Sequence, residues 1–590
     1  MFLRRSTFLR YSNVRFQQTQ AKVVNNIKKQ QNSPEELALG PVFKNARLFP
    51  EKIAIKDRIA AYTYGNIFMS AHELSKEITN LLEGKTNERV LFLCPNDIHY
   101  VITLWAIWMS GQIALPVSPL HPKSLLMYYA NDSNSKLLIT VPEYTDLMSR
   151  VATNTSTKLH VLDDRLKLNC TLMQASQPCD LEGGKDDDFY SKSDALILYT
   201  SGTTGNPKGA ILSYKNLAAQ TNSLIKAWHW THEDTILHTL PLHHIHGIVN
   251  ALLCPLHIGA KCIMLPKFNA NTVWSYLLGV STRPEDRRVS VFMGVPTMYS
   301  KLIDEYDRVF KEDTKMAEYI RNTLKTKVRL MVSGSAPLSE PLYQQWEEVS
   351  GHRLLERYGM TETGMTLSNL YDSDREPGYV GVPLPGVSVK LMEEVIDDKS
   401  LSKVLVECSN IDGTLVYNKN GQKDENGDDP IGELFVKGEN VFLRYHERPD
   451  TTKREFTSDG WFRTGDMCQY DVDKKKFRIL GRKSVDIIKS GGYKISALQV
   501  ESSILGCPTV KDCAVLGLTD EKWGQRVVAV ISPTSSGNES ALVEELRLWA
   551  SNKLPKYAIP KEWRFVDKIP KNAMGKVNKK ELVQMVFSKR

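Results

Sequence analysis

Residues 197–210 read ILYTSGTTGNPKGA, and this segment decides most of what the sequence predicts. It contains five hydroxyl side chains, three glycines and one lysine, and apolar residues flank it on both sides. Glycine lets the backbone approach a ligand closely, and backbone N–H groups, hydroxyls and an ammonium group together bind phosphate oxygens. A Walker-type loop ends in Gly-Lys-Ser/Thr, whereas here the order is Pro207-Lys208-Gly209. The segment therefore predicts a phosphate-binding loop of another kind.

Further glycine-rich and charged segments follow in order along the chain. They are RYGMTETG at 357–364, GWFRTGD at 460–466, GR at 481–482 with IKSGGYK at 488–494, and PKNAMGKV at 570–577. With the first segment, they resemble the five signature motifs of the adenylate-forming superfamily. That superfamily includes acyl-CoA synthetases, luciferases and the adenylation domains of peptide synthetases. The resemblance extends from about residue 34 to the C-terminus.

Short apolar runs alternate with helical patterns over most of the chain. Residues 195–198 and 328–332 predict buried strands, and residues 340–349 predict a helix. Such alternation is typical of a layered α/β fold. Residues 432–438 and 477–481 predict strands of a β-subdomain that precedes a domain boundary.

The resemblance implies two domains after an N-terminal leader. We expect an AMP-binding adenylation domain at 34–480, built of layered α/β subdomains and a β-subdomain. A small, mobile α/β domain should occupy 481–590. The polar, Gly- and Asn-rich residues 408–430 predict a solvent-exposed loop insertion. The apolar stretch 101–117 is short and interrupted, and predicts a buried helix and strand, not a transmembrane segment.

The net charge of +8 is unevenly placed. Residues 1–34 carry seven basic and no acidic side chains, so the remainder is nearly neutral and does not favour nucleic-acid binding. The Arg-rich, hydroxyl-bearing residues 1–33 are typical of a mitochondrial transit peptide, which predicts the mitochondrial matrix; a disordered basic tail is the alternative. The nine cysteines lack CxxC spacing and predict buried, reduced thiols.

The family reaction implies a role for each motif. A carboxylate attacks the α-phosphorus of ATP, giving an acyl-adenylate and pyrophosphate, and the thiol of CoA then displaces AMP. Negative charge concentrates in the first step, so Mg²⁺ and cations are expected at the phosphates. By resemblance, the ATP-binding residues are Thr200, Ser201, Gly202, Thr203, Thr204, Gly205, Lys208, Ser335, Ala336, Pro337, Tyr358, Gly359, Met360, Thr361, Asp466 and Arg482.

Three of the expected residues act directly on the reaction. Thr361 should contact the α-phosphate, and Glu362 should hold Mg²⁺, an ion that needs few protein carboxylates. Lys576 should contact both the carboxylate oxygen and the α-phosphate, because a lysine on a flexible Met-Gly-Lys turn can spread the developing charge. Among the remaining nucleotide contacts, Asp466 should accept hydrogen bonds from both ribose hydroxyls.

Family members rotate the small domain between the two half-reactions. Lys576 then leaves the site, and Lys489, Gly491 and Gly492 arrive beside the pantetheine arm of CoA. The hinge is usually an Asp or Lys shortly after Gly-Arg. In this sequence Lys483, Ser484 and Asp486 all remain candidates.

The acyl site is expected at His244, Ser333, Gly334 and Arg357. Arginine at the last of these positions is costly to desolvate unless an anion meets it. A dicarboxylic acid would supply that anion, whereas a monocarboxylic acid would leave the guanidinium unpaired. Alternatively, Arg357 pairs with Glu356 or Glu362 and contacts no substrate. The neighbouring histidines of PLHHIHG at 241–247 could suggest a metal, but no HExxH or Cys partner supports one.

The resemblance extends to one branch of the superfamily. The strings LPLHHIHGIVNALLCPL at 240–256, RLMVSGS at 329–335, GHRLLERYGMTE at 351–362 and SVDIIKSGGYK at 484–494 resemble the mitochondrial malonyl-CoA synthetases, of the acyl-CoA synthetase family member 3 type. This implies a ligase for malonate, and less specifically methylmalonate, with ATP and CoA. Such a ligase would supply malonyl-CoA for mitochondrial fatty-acid synthesis and would remove free malonate. A medium-chain fatty acyl-CoA synthetase and a non-catalytic nucleotide-binding relative are the alternatives.

Overall fold

A computed structural model describes residues 40–173, 181–200, 206–280, 288–393, 403–535, 537–571 and 576–587. The described strands that precede the β-subdomain are β1 (Ile53–Lys56), β2 (Ala61–Thr63), β3 (Arg89–Leu93), β4 (Ile113–Pro116), β5 (Leu137–Thr140), β6 (Lys158–Val161), β7 (Asp194–Thr200), β8 (Lys208–Ser213), β9 (Thr235–His238), β10 (Lys261–Met264), β11 (Val291–Gly294), β12 (Leu330–Ser333), β13 (Leu355–Met360), β14 (Gly364–Ser368) and β15 (Val382–Pro383).

Helices lie between these strands. They are α1 (Tyr64–Leu81), α2 (Ile98–Met109), α3 (Lys123–Asp132), α4 (Thr145–Thr155), α5 (Leu166–Leu172), α6 (Asp187–Lys192), α7 (Tyr214–Ala227), α8 (Cys254–Ile258), α9 (Ala270–Leu278), α10 (Pro296–Val309), α11 (Thr314–Lys327) and α12 (Glu340–Ser350), with 3₁₀ turns at Val42–Leu48 and Pro142–Tyr144 and a π-helix at His246–Leu253. Apolar residues 101–117 thus form the end of α2 and the buried strand β4, as the sequence predicted.

Two mixed sheets organise the large N-terminal domain. Within the described residues, one has the strand order β15-β14-β13-β12-β11-β9-β10-β1-β2, and its strands β1 and β9–β13 run parallel to one another. The other has the order β20-β8-β7-β4-β3-β5-β6, with β20 at Arg444–Tyr445. The large domain is therefore α/β, which confirms the predicted fold class.

Successive residues of the buried strands face different cores because side chains alternate across a strand. Ile236 of β9 and Val90 of β3 belong to one core that lies between the two sheets and includes Trp105 of α2. The next residue of β9, Leu237, packs with helices α9 to α12 on the outer face of the first sheet. Leu91 of β3 packs with α3 and α4 outside the second. Continuous apolar runs in these strands reflect burial on both faces.

An antiparallel β-subdomain follows. Its strands are β16 (Val387–Met392), β17 (Val404–Ile411), β18 (Thr414–Lys419), β19 (Ile431–Gly438), β21 (Phe462–Asp471) and β22 (Lys476–Arg482), and the short helix α13 (Pro449–Glu455) precedes β21. The prediction of an exposed loop at 408–430 was wrong for its first part, because β17 and β18 pair as a hairpin through residues 407–419. Its polar residues face solvent on an edge strand, where the sequence carries little apolar signal.

The small C-terminal domain has a sheet of its own. It contains β23 (Ile487–Ser490), β24 (Tyr493–Ser496), β25 (Val510–Asp520), β26 (Gly524–Pro533) and β27 (Glu562–Phe565), with helices α14 (Ala497–Leu505), α15 (Glu539–Lys553) and α16 (Lys579–Phe587). It contacts the large domain where the Glu340 N–H donates to the Ser502 hydroxyl at 3.3 Å.

Two further expectations concern membranes and cysteines. In the part of the chain that the structure describes, the helices lack the length and apolar character needed to span a bilayer. Eight cysteines lie in that part; all are buried and none forms a disulfide, as predicted.

Candidate active site

The site forms where parallel strands end. Strands β9, β11, β12 and β13 present their carboxyl ends at one edge of the first sheet, which is where α/β folds place ligands. Segments carrying the predicted residues follow or form these ends: His244 after β9, Gly334 after β12, and Arg357 within β13. The predicted acyl residues are therefore neighbours in space although more than 100 residues separate the first from the last.

The phosphate loop joins two antiparallel strands. Thr200 ends β7 and pairs directly with Lys208, the first residue of β8. The predicted phosphate contacts Ser201, Gly202, Thr203, Thr204 and Gly205 lie outside the described residues. Ser213 ends β8 and caps α7, so the second strand leads straight into a helix.

Glu362 lies beside this loop. It is 4% exposed, and its Oε1 accepts hydrogen bonds from Thr200 Oγ1 at 3.3 Å and from the Tyr445 hydroxyl at 2.8 Å. The Lys208 ammonium lies 4.6 Å from the centre of the Tyr445 ring. Thr361 lies in the same turn, half-buried. The structure thus joins two of the predicted motifs, and Tyr445 is a site residue that the sequence analysis missed.

A hydrogen-bond network fixes the flanks of the loop. Tyr128 donates its hydroxyl to the Pro207 carbonyl at 2.8 Å, and Tyr199 donates to the Asp132 carboxylate at 2.8 Å. The rings of Tyr129 and Tyr199 stack at 4.2 Å. Burial raises the pKa of Tyr199, and the Asp132 carboxylate raises it further, so the hydroxyl stays a donor. These contacts hold β7, which precedes the loop, and Pro207, which follows it, against α3.

The expected ribose site joins β21, β22 and β13. Asp466 is 6% exposed and pairs across the strands with Arg482, whose Nε lies 3.8 Å from Asp466 Oδ1. Tyr358 donates its hydroxyl to the other carboxylate oxygen. Burial raises the pKa of Asp466, while this hydrogen bond and the Arg482 charge oppose the rise. Predicted Gly359 lies in the hairpin of β13 and β14, where a Cβ would come within 2.0 Å of the Gly364 carbonyl oxygen.

Lys576 of the small domain reaches the same cleft. Its side chain is accessible to solvent yet closely surrounded by protein. Desolvation and the Arg482 charge lower its pKa, whereas the carboxylates of Asp466 and Glu362 act to raise it. The structure therefore brings the last motif to the phosphate and ribose motifs.

Within the described part of the chain, Arg357 is a buried cation without a counter-ion. It is 4% exposed, its Nη2 donates to Ser335 Oγ at 3.3 Å, and its Nε has no partner among those residues. A Cβ at Gly334 would lie 2.5 Å from the guanidinium carbon, so only glycine permits this packing. Burial lowers the pKa of Arg357 to about 9.

Neither acidic neighbour proposed for Arg357 reaches it. Strand alternation turns Glu356 to the opposite face, where its Oε1 accepts the Gly378 N–H at 2.7 Å and burial raises its pKa to about 8. Glu362 is held by Tyr445 and Thr200. Among the described residues, no carboxylate forms an ion pair with Arg357. The pairing alternative is therefore not supported.

A second histidine contacts the serine that binds Arg357. His246 begins the π-helix, and its Nδ1 lies 3.1 Å from Ser335 Oγ, the atom that also accepts from Arg357. The ring of the predicted residue, His244, packs against His243 at 4.1 Å. Burial lowers the pKa of His244 to about 4 and that of His246 well below its usual value, so both rings are neutral.

The remaining acyl and adenine residues lie in the same neighbourhood. Ser333 is 1% exposed and its hydroxyl has no partner in the described structure. Ser335 has a left-handed φ of +70°, and Ala336 and Pro337 continue from it. Strain of this kind is common at ligand sites. The described residues contain no cluster of three His, Cys, Asp or Glu side chains that could hold a metal.

The predicted CoA residues form an exposed hairpin. Lys489 is in β23, and Gly491 and Gly492, with φ of +57° and +85°, make the turn to β24. The Gly491 N–H donates to the Trp523 carbonyl at 2.9 Å, and the Lys489 N–H donates to Gln525. These backbone contacts lie within the small domain.

Comparison with known proteins defines the class. The family model described as AMP-binding enzyme matches residues 42–446, and the model of the AMP-binding enzyme C-terminal domain matches residues 499–576. The chain belongs to the AMP-binding enzyme family.

Particular relatives within this family are similar over nearly their whole length. The chain is 44% identical to the mitochondrial malonate–CoA ligase ACSF3 of Mus musculus, covering 93% of this chain and 91% of the relative. It is 36% identical to a malonate–CoA ligase of Arabidopsis thaliana, covering 92% and 87%. Among solved structures, ATP-bound MatB from Rhodopseudomonas palustris matches with a TM-score of 0.75 and 29% identity, over 92% of this chain and 99% of that chain.

Proposed function

We propose that this protein is a malonate–CoA ligase. It forms malonyl-CoA, and methylmalonyl-CoA less specifically, from the dicarboxylic acid, ATP and CoA through an acyl-adenylate, releasing AMP and pyrophosphate. The observation that carries this proposal is the buried Arg357 guanidinium, which has no carboxylate partner among the residues that the structure describes. The malonate–CoA ligases among its relatives support the same substrate.

The geometry favours a dicarboxylic acid because Arg357 needs an anion. A buried charge without a partner is costly, and a charge-assisted hydrogen bond recovers about 1.5–3 kcal/mol. One malonate carboxylate would pair with Arg357, near Ser333 and Gly334. Neutral His246 and His244 would add no competing charge. The other carboxylate would then point toward the nucleotide, since the site continues from β13 to Glu362.

The adenylation step would use the groups around Lys576. Asp466 would bind the ribose hydroxyls, Arg482 the ribose or phosphate, and residues 335–337 the adenine. Lys208, Thr200 and Thr361 would bind phosphate oxygens. Lys576 would hold the attacking carboxylate oxygen and the α-phosphate together, so that charge is stabilised as it develops. Its lowered pKa does not prevent this role, because the approaching phosphate favours the ammonium form.

Magnesium fits the residues present. This ion takes one or two protein carboxylates and completes its shell with phosphate oxygens and water. Glu362 is a buried carboxylate at the phosphate loop, and it would hold the ion. When bound, Mg²⁺ would neutralise charge on the phosphates of ATP.

Domain rotation would bring the second half-reaction. We place the adenylation domain at 34–480 and a mobile CoA-ligase domain at 481–590. Rotation would withdraw Lys576 and deliver Lys489, Gly491 and Gly492 to the pantetheine arm. The CoA thiol would then attack the acyl carbonyl, AMP would leave, and the thiol proton would pass to solvent.

The proposed location is the mitochondrial matrix. Residues 1–33 have the composition of a transit peptide, and the ACSF3 relatives are named mitochondrial.

An acid panel tests the substrate. AMP release by the full chain would be measured with ATP, CoA and each of malonate, methylmalonate, succinate, acetate, butyrate and octanoate. We expect kcat/KM for malonate to exceed that for each monocarboxylic acid by about 100-fold or more, because a site built for a charged group rejects acids that lack it. Preference for butyrate or octanoate would contradict the proposal and indicate a medium-chain fatty acyl-CoA synthetase.

A further inference from the structure

A buried lysine lies three residues after Lys576. Lys579 begins α16, is 9% exposed, and its ammonium forms ion pairs with Asp486 Oδ1 at 2.7 Å and Glu501 Oε1 at 2.8 Å. Burial acts to lower the pKa of Lys579, but the two carboxylates outweigh it and the net shift is upward. The Lys579 ammonium therefore stays charged. Lys579, Asp486 and Glu501 form a triad of paired charges inside the small domain.

One partner of the triad fixes the segment that joins the two domains. Asp486 Oδ2 accepts the Arg482 N–H at 3.1 Å, and the Asp486 N–H donates to the Arg482 carbonyl at 2.8 Å. The turn at 483–486 is thereby closed on itself. Arg482 in turn pairs with Asp466 of the expected ribose site. The Asp486 carboxylate thus links the end of β22 to Lys579.

The other partner fixes the triad to the small-domain core. Glu501 lies on α14, and the same oxygen that binds Lys579 accepts the Val515 N–H of β25 at 2.8 Å. Lys579 therefore joins three parts of the molecule: the turn after β22, the helix α14 and the start of α16. Only two residues separate Lys576 from Lys579, so this junction sets where Lys576 can reach.

We propose that Lys579 is a positioning residue for adenylation, which holds Lys576 at the nucleotide through its ion pairs with Asp486 and Glu501. The inference rests on the proposed adenylation role of Lys576. Without the link to Asp486, the segment that carries Lys576 would no longer be tied to the strand that bears Arg482. The thioester half-reaction does not use Lys576, so it would not depend on this link.

The test separates the half-reactions. Formation of the acyl-adenylate would be measured with the acid that the wild-type protein adenylates best, and thioester formation would be measured from supplied acyl-adenylate. We expect Lys579→Met to slow adenylate formation about 100-fold, as a misplacement of about 1 Å can do, with thioester formation nearly unchanged. Lys579→Arg should restore most of the adenylation rate, because it keeps the charge.

Two further variants guard against a folding defect. Asp486→Asn removes the charge at the turn and leaves the Lys579–Glu501 pair, so it should show the same selective loss in a milder form. Arg547→Met breaks the exposed pair of Arg547 with Glu544 on α15, at 3.2 Å, and should leave both half-reactions unchanged.

Several results would overturn the inference. They are an equal loss of both half-reactions in Lys579→Met and Asp486→Asn, full adenylation by both, or adenylation retained by Lys576→Ala. The acid panel tests the proposed function separately, since it reads substrate preference in the wild-type protein.

Discussion

At the scale of single residues, Arg357 constrains the chemistry of the ligand most strongly, because its guanidinium requires an anionic group. Its neighbours are a glycine without a side chain, a serine hydroxyl and a neutral histidine. None of these neutralises a guanidinium. A cation is expensive to bury, and the described residues offer this one no counter-ion, so a charged substrate explains it best.

Replacing Arg357 by methionine tests this demand directly. The variant keeps the length of the side chain but loses a charge-assisted hydrogen bond of about 1.5–3 kcal/mol, so kcat/KM for malonate should fall roughly 10- to 100-fold. KM for ATP should change little. Steady-state kinetics with varied malonate and varied ATP would measure both.

The matched control is Arg308→Met, a surface arginine on α10 that pairs with Glu305. It should leave malonate kinetics unchanged. If the Arg357 variant and the control had the same malonate kinetics, Arg357 would not be part of the acyl site.

Sequence motifs located part of this site and missed the rest for a physical reason. Thr200, Glu362, Asp466 and Lys576 lie in glycine-rich motifs whose residue types already suggest phosphate and ribose binding. Tyr445 contacts the site through its hydrogen bond to Glu362, 83 residues earlier in the chain, and through its ring beside the Lys208 ammonium. The local sequence around a tyrosine in a short strand does not predict such a contact. His246 lies within the motif PLHHIHG, but only the fold shows that it faces Ser335.

At the scale of elements, the alternation of short apolar runs with helical patterns predicted strands that are buried on both faces and helices between them. The hairpin of β17 and β18 escaped because its outer strand is short, polar and solvent-exposed. The π-helix at His246–Leu253 also escaped, since its sequence differs little from that of a buried α-helix. Such helices recur at functional sites, and this one begins with the histidine next to Arg357 and Ser335.

The phosphate loop depends on an element outside its motif. Tyr128→Phe removes the hydroxyl of α3 that binds the Pro207 carbonyl. One neutral hydrogen bond contributes about 1 kcal/mol, so KM for ATP should rise roughly fivefold with KM for malonate unchanged. Varied-ATP kinetics would measure the change.

For comparison, Tyr319→Phe alters an exposed tyrosine of α11 and should have no effect. A normal KM for ATP in Tyr128→Phe would mean that the loop holds its shape without help from α3.

At the scale of the whole molecule, buried neutral histidines couple folding to pH. His257 is 2% exposed, and burial lowers its pKa to about 4. In the unfolded chain its pKa is about 6.5, so between these values the unfolded state binds the extra proton. The free energy of unfolding therefore decreases as pH falls through this window, by about 1.4 kcal/mol per pH unit for each such histidine.

We expect His257→Gln to flatten this dependence. Urea unfolding at pH 7.5, 6.0 and 5.0 should give a slope smaller than that of the wild type by about 1.4 kcal/mol per pH unit below pH 6. His232→Gln, at an exposed histidine, should keep the wild-type slope. Identical slopes in all three proteins would show that His257 takes up a proton in the folded state.

The chain order of the motifs predicted the two-domain architecture, since each motif belongs to a known part of the adenylate-forming fold. It could not predict which arrangement of the two domains the molecule adopts. That depends on contacts between the domains, such as that of Glu340 with Ser502, which join residues far apart in sequence.

The two-residue strand β20 has a consequence for solubility. It covers β8 at the end of the second sheet, pairing Arg444 with Ile211 and Tyr445 with Ala210. Without it, β8 would present unpaired N–H and C=O groups along an apolar strand, a surface on which other chains can add strands and aggregate. Because the same short strand carries the tyrosine that binds Glu362, a substitution that detaches β20 would cost both activity and resistance to aggregation.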